Sequence, residues 1–224
     1  MDDLEVRFGL AAVQEIVNSL QVISFRRGIF QAAPSVNVFG NWIIPTLPQG
    51  SDYSSLQWYV DNSYDQEQGR VIGSRLLDLI LNEPWQRSGA HYDVMMIGDN
   101  LVPSSENRPD YEALALSSPG RATVVSMAPL HKINDDRVRL FVVRRVLGHQ
   151  LGHLFGIPRA QRPGVISSTP GERHCSNLCA MRDADNLDTL VGMTMEELEA
   201  HVLLCADCWQ DLLQIMVDSY HGMN

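Results

Sequence analysis

The chain has no apolar run approaching the roughly 18 residues that span a bilayer, so a transmembrane helix is not expected. It also has no internal repeat and no low-complexity tract, which sets aside solenoid and linker architectures. The opening Met1-Asp-Asp-Leu-Glu5 lacks the basic segment of a secretory signal, and the expectation is a cytoplasmic protein. Basic charge is short as well. Seventeen Lys and Arg stand against 27 Asp and Glu, for a formal net charge of -10 and a pI near 5.0. A nucleic-acid partner would want a basic face, so none is expected. An acidic surface can favour basic peptides, or can be a solvated surface and nothing more. Only four cysteines occur, none of them left over for nucleophilic catalysis.

What is present is an ordinary globular composition, 45% apolar and 20% charged, in 224 residues. That is enough for one domain, or for one domain with a smaller appendage. The stretch Arg137 to Gly156 reads as a mostly buried helix, with Asp135 and Asp136 at its start and Gly156 as its stop. His149 and His153 lie four residues apart in it. That spacing stacks both imidazoles on one face, where they can grip a single metal ion. Gly148 and Gly152 alternate with them, each costing about 1 kcal/mol relative to Ala, which implies that something packs closely there. The bland reading is a core helix with two incidental histidines.

The cysteines fall as Cys175 with Cys179 and Cys205 with Cys208. In a cytosolic chain, thiolates at such spacing suit one tetrahedral zinc better than disulfides. Two disulfides, or a redox role for Cys205-Ala-Asp-Cys208, are the alternatives. Catalytic zinc takes three protein ligands and leaves one position for water. His174 is the candidate third ligand beside the helix pair, with His131, Asp183, Asp185 and His201 as competitors.

Taken together, His149, His153, Gly156, His174, Cys175, Cys179, Met181, Cys205 and Cys208 resemble the signature of the archaemetzincins, zinc peptidases of the metzincin clan: H-E-x-x-H-x-x-G-x-x-H-C-x4-C-x-M followed by a distant C-x-x-C. Three departures stand out. Gln150 replaces the family's glutamate, seventeen residues instead of two separate Gly156 from His174, and three instead of four separate Cys175 from Cys179. The resemblance implies His174 as third ligand of a catalytic zinc and Met181 as the methionine of a Met-turn beneath it. It also implies a second, structural zinc on the four cysteines and a peptide or protein substrate. Because His174 and Cys175 are adjacent, the two zincs would lie within about 15 Å of each other. In such sites zinc polarises the peptide carbonyl and acidifies a bound water to a pKa of about 7, while the glutamate accepts the proton. An amide cannot do so, and the expectation is a form that cleaves poorly or not at all. Gln150 is then either a deliberate change in a peptidase or the mark of a natural pseudoenzyme that binds peptides without cutting them.

The rest of the chain predicts an α/β (α+β) pattern, and the resemblance implies a metzincin-like twisted sheet with an active-site helix. Residues 1–156 would form an α/β subdomain ending in the zinc helix, and 157–224 a C-terminal subdomain with the third histidine and the cysteines. Periodicity predicts a helix over 4–19, a short strand over 22–25, a second strand or hairpin arm over 37–44 and a loop over 45–65. A helix over 66–81, a buried strand over 92–97, a surface loop over 102–120 and a strand over 122–127 follow. Past Gly156, a Pro- and Gly-rich excursion must return for His174 to reach the metal. Thr194 with Glu197 reads as a capping box opening a helix to about Leu204, and 205–220 as a last helix.

Overall fold

A computed structural model describes residues 3–26, 36, 56–83, 91–104, 113–167 and 172–221. The fold is mixed α/β with small sheets, and the chain divides into two compact units, one of Asn37–Pro129 and one made of Asp2–Val36 together with Leu130–Asn224. Among the described residues no helix is long and apolar enough to cross a membrane.

The first unit holds helices α2 (Leu56–Ser63) and α3 (Gly73–Leu81) and strands β1 (Tyr64–Asp65), β2 (Arg70–Ile72), β3 (Asp93–Ile97), β4 (Leu101–Val102), β5 (Ala115–Ser118) and β6 (Ala122–Ser126). One sheet runs β1-β2-β4, antiparallel then parallel; the other runs β3-β6-β5, with β3 parallel and β5 antiparallel to β6. As the central strand, β6 is buried at every residue. Its two hydroxyls are satisfied: Ser126 Oγ donates to the Asp99 carbonyl at 2.6 Å, and Thr123 pairs with Ser117 across the strands at 2.7 Å. The amphipathic face of α3 delivers Leu76, Leu77 and Ile80 to a core with Val71, Ile97, Leu101 and Val124.

Several expectations are corrected here. The segment 66–81 is not one helix. Asp65 accepts from the backbone amides of Glu67 and Gln68, Gly69 turns the chain at φ 66°, and Arg70–Ile72 pairs as a strand before α3 begins. At Gly73 a Cβ would stand 3.2 Å from the Val102 carbonyl and 3.1 Å from Leu116, so a side chain there would press on the tight strand-to-helix junction. Trp58 and Tyr59 sit on α2 rather than in a loop, and Tyr59 is buried in this core. Part of the supposed surface loop 102–120 is β5, a strand whose serines have little intrinsic strand preference and which exists because β6 offers it an edge. The expected strand over 37–44 and residues 45–55 of the expected loop lie outside the described residues.

The second unit is built on α1 (Asp3–Arg26) and α4 (Asp136–Phe155), which pack together. Helix α1 continues through the expected strand at 22–25. Its buried face carries Ala12, Ile16, Val17 and Leu20, and also Glu5, whose carboxylate meets His131 at 2.9 Å and Arg139 at 3.3 Å. Charge pairing is what makes burial of that glutamate tolerable. After α4 come the short paired strands β7 (Val165–Ile166) and β8 (His174–Cys175), then α5 (Leu187–Glu199) and α6 (Ala206–His221). The capping box is overturned. Asn186 caps α5 by accepting from the Thr189 amide, so Thr194 lies mid-helix and donates to the Leu190 carbonyl. Glu197 is instead buried in ion pairs, and α5 ends at Glu199, short of Leu204. A capping pattern is local, whereas the competing cap and the tertiary ion pair are not visible in three residues of spacing.

Candidate metal centres

Helix α4 starts where Asp135 accepts from the amides of Arg137 and Val138, and stops at Gly156, whose φ of 88° is left-handed. Between these ends, His149 and His153 present their rings one turn apart, with centroids 4.5 Å apart and Nε2 atoms 2.9 Å apart. His149 Nδ1 lies 2.7 Å from the Ala180 carbonyl, which can only accept, so Nδ1 carries the proton and Nε2 presents a lone pair. The third ring comes from β8. His174 is 1% exposed, stacks on His149 at 5.3 Å and stands 5.1 Å from His153. One nitrogen from each of the three lies within 4.8 Å of the others.

Electrostatics favours uncharged rings. Burial, reinforced by the neighbouring His153, pushes His149 well below the ordinary imidazole range. His153 is lowered to about 4 by burial and by His174, with the carboxylate of Asp183 pulling the other way. A divalent metal binds the uncharged imidazole, the form in which burial holds His149 and His153. A tetrahedral zinc with nitrogens at about 2.1 Å has nitrogen–nitrogen edges of about 3.4 Å, between the 2.9 Å of the helix pair and the 4.8 Å bound on the cluster. The donor set fits.

Of the competitors for third ligand, Asp183 lies outside the convergent group, its Oδ2 3.8 Å from His174 Nδ1. His131 is engaged by Glu5, while Asp185 and His201 are exposed and join no group of convergent ligands.

The two glycines of α4 are explained by their neighbours. A Cβ on Gly152 would collide with the Met181 sulfur and come within 2.9 Å of its methyl, and one on Gly148 would stand 3.0 Å from Leu203. Met181 is fully buried against the α4 backbone immediately before His153, and its carbonyl accepts from the Cys175 amide at 2.8 Å.

Cys175, Cys179, Cys205 and Cys208 form the second cluster, all four sulfurs within 4.8 Å of one another and none in a disulfide. Cys175 to Cys205 and Cys179 to Cys208 are both 3.8 Å. A disulfide would need about 2.05 Å. A tetrahedron with sulfurs about 2.3 Å from its centre has edges of about 3.8 Å, so this donor set fits a single zinc. The hydrogen bond from Cys208 lowers Cys179 to about 5, and the same bond, with burial, raises Cys208.

Three features escaped sequence reading. Arg145, 3% exposed, donates to Glu197 at 2.9 Å and to the Arg182 carbonyl at 3.0 Å, tying α4 to α5 and to the turn after Met181. Arg182 completes the network on Glu197 at 3.0 Å. Arg162 reaches the cysteine sulfurs, and the Ala180 carbonyl sets the His149 tautomer. A charged residue inside the apolar run of α4 was the one available hint.

Gln150 is half-buried on α4, beside His149 in sequence. No protein-family model matches the chain, and no curated protein matches it. Among solved structures, the chain is similar to the crystal structure of archaemetzincin from Methanopyrus kandleri, at 21% identity and a TM-score of 0.48, over 70% of this chain and 71% of that one.

Proposed function

We propose that the chain is a zinc-metallopeptidase scaffold acting on peptides, in which His149, His153 and His174 hold the catalytic metal and Gln150 occupies the place of the general base. The observation that carries this reading is the convergence of the three imidazoles, two from one helical turn and one from β8, with the His149 tautomer fixed by Ala180. Zinc in such a site supplies polarisation of a peptide carbonyl and acidification of a water. Asp183 places a carboxylate beside His174, and Met181 packs against the helix at Gly152. Cys175, Cys179, Cys205 and Cys208 hold a second, structural zinc that fixes β8 and with it His174. Gln150 can donate and accept hydrogen bonds to hold a water or a substrate amide, but it cannot take a proton at neutral pH. The present chain therefore binds metal and peptide and cleaves weakly.

Gln150 favours a second reading, a catalytically silent peptide- or protein-binding module. Hydrolysis of a peptide library by the Gln150→Glu variant separates the two. General-base assistance is worth about 10²- to 10⁴-fold, so the peptidase reading expects a gain in that range that a chelator abolishes and added zinc restores. Unchanged hydrolysis with the metal in place leaves the binding module.

A further inference from the structure

The seventeen residues between Gly156 and His174 do more than lead the chain back to the metal. Ile157 is 1% exposed, the Arg159 amide donates to Asp211 at 2.9 Å, and the Gly164 carbonyl accepts from the Ser176 amide at 2.9 Å. Val165 and Ile166 then pair with Cys175 and His174. These anchors bring Arg162 to the cysteine cluster. One of its nitrogens lies 3.0 Å from Cys208 Sγ and 3.3 Å from Cys175 Sγ, while its Nε donates to Asp211 at 2.6 Å. The remaining nitrogen is 3.6 Å from Asp207. The side chain is 13% exposed, so these contacts are made largely away from water.

Zinc with four thiolates carries a net charge of -2, and Cys175, Cys179 and Cys208 are fully buried. A buried double negative charge beside the carboxylate of Asp211 is costly unless a cation stands between them. Asn177 contributes only neutral donors, its amide to Cys175 at 3.4 Å and its side chain to Cys205 at 3.6 Å. The planar fork of an arginine can serve sulfur and carboxylate at once, as a lysine cannot.

We propose that Arg162 is a positioning residue of the four-cysteine centre, a guanidinium clamp that neutralises the zinc-bound Cys175 and Cys208 thiolates and thereby holds the strand carrying His174. The inference rests on the reading of this cluster as a zinc site, and it gives the insertion a purpose: the loop supplies the charge that the cluster lacks.

The test uses the full-length zinc-loaded protein. Outer-shell partners typically govern 10- to 100-fold in metal affinity, so Arg162→Ala should lose one zinc to a chromogenic chelator at least about tenfold faster than wild type, with Arg162→Lys between them. In the cobalt-substituted protein, whose sulfur-to-metal charge-transfer bands arise only from the cysteine site, Arg162→Ala should shift those bands to lower energy. Removing a donor from a thiolate raises the energy of its lone pairs. The double variant Arg162→Ala, Asp211→Asn relieves the orphaned carboxylate; if the clamp acts on sulfur, fast release and shifted bands persist in it. Recovery of wild-type release and spectrum in the double variant would show that Arg162 merely pairs with Asp211, and the proposal falls. Unchanged release and bands in Arg162→Ala, with two zincs in wild type, overturn it equally. If Cys205→Ser with Cys208→Ser leaves the zinc content at its wild-type value, the zinc reading of the cluster fails first and the clamp with it.

Discussion

The two clusters are joined through adjacent residues, His174 and Cys175, yet they are built in different ways. Two of the three histidines sit on a twenty-residue helix whose Val142, Val143, Val146, Leu147, Leu151 and Leu154 are buried, so its geometry exists before any metal arrives. The four cysteines sit on a two-residue strand, the turn after it and the entry to α6, three separate short stretches rather than one regular element. A site on a packed helix can lose its metal and keep its shape. A site made of short segments depends on the metal for its shape, because binding there is folding free energy.

The largest expected effect follows from that contrast. Cys205→Ser or Cys208→Ser should remove binding energy on the order of 10 kcal/mol and loosen α6 and β8, seen as lost hydrogen-exchange protection confined to the C-terminal elements. Full protection in these variants would erase the distinction between the clusters.

The next effect tests what makes the helix side independent of metal. Glu197 is buried with Arg145 at 2.9 Å and Arg182 at 3.0 Å. Glu197→Gln leaves a buried guanidinium uncompensated and should cost about 3–5 kcal/mol in denaturant unfolding, with or without zinc. A loss appearing only in the metal-bound protein would mean that this network serves the metal and not the fold.

Smaller still is a pair of glycine substitutions. Gly152→Ala gains about 1 kcal/mol of helix propensity but drives a methyl into the fully buried Met181, which must shift within the core; a net loss of about 1–2 kcal/mol is expected, with weakened metal binding at the histidines. Gly192, exposed on α5, meets nothing within 4 Å. Gly192→Ala should stabilise by up to about 1 kcal/mol. Thermal unfolding of both decides whether close packing at Met181 is what α4 needs glycine for.

These contrasts also explain what was legible in the sequence. The helix bearing His149 and His153, its Asp135 cap and its Gly156 stop are local patterns, and the structure keeps all of them. The four cysteines were legible because metal spacing is local within each pair, and the tightness at Gly148 and Gly152 because glycine is costly inside a helix. The failures share a cause. Val22 to Phe25 has strand-like composition, but it follows an unbroken helical stretch, and α1, packed on α4, runs on through it to Arg26. Arg70 to Ile72 has a helical neighbour in sequence, but β4 offers a parallel edge. Thr194 and Glu197 have capping spacing, but Asn186 caps first and Arg145 claims the glutamate. At Arg70 to Ile72 and at Glu197, a partner remote in sequence outweighs local preference.

The most direct test of the account is zinc content per chain across four proteins. Two zincs are predicted for the wild type and for Gln150→Glu, and one each for His149→Ala, which should remain folded, and for the Cys205→Ser, Cys208→Ser double variant. A wild type with a single zinc, or a His149→Ala variant that keeps two, would contradict the claim of two separate metal centres.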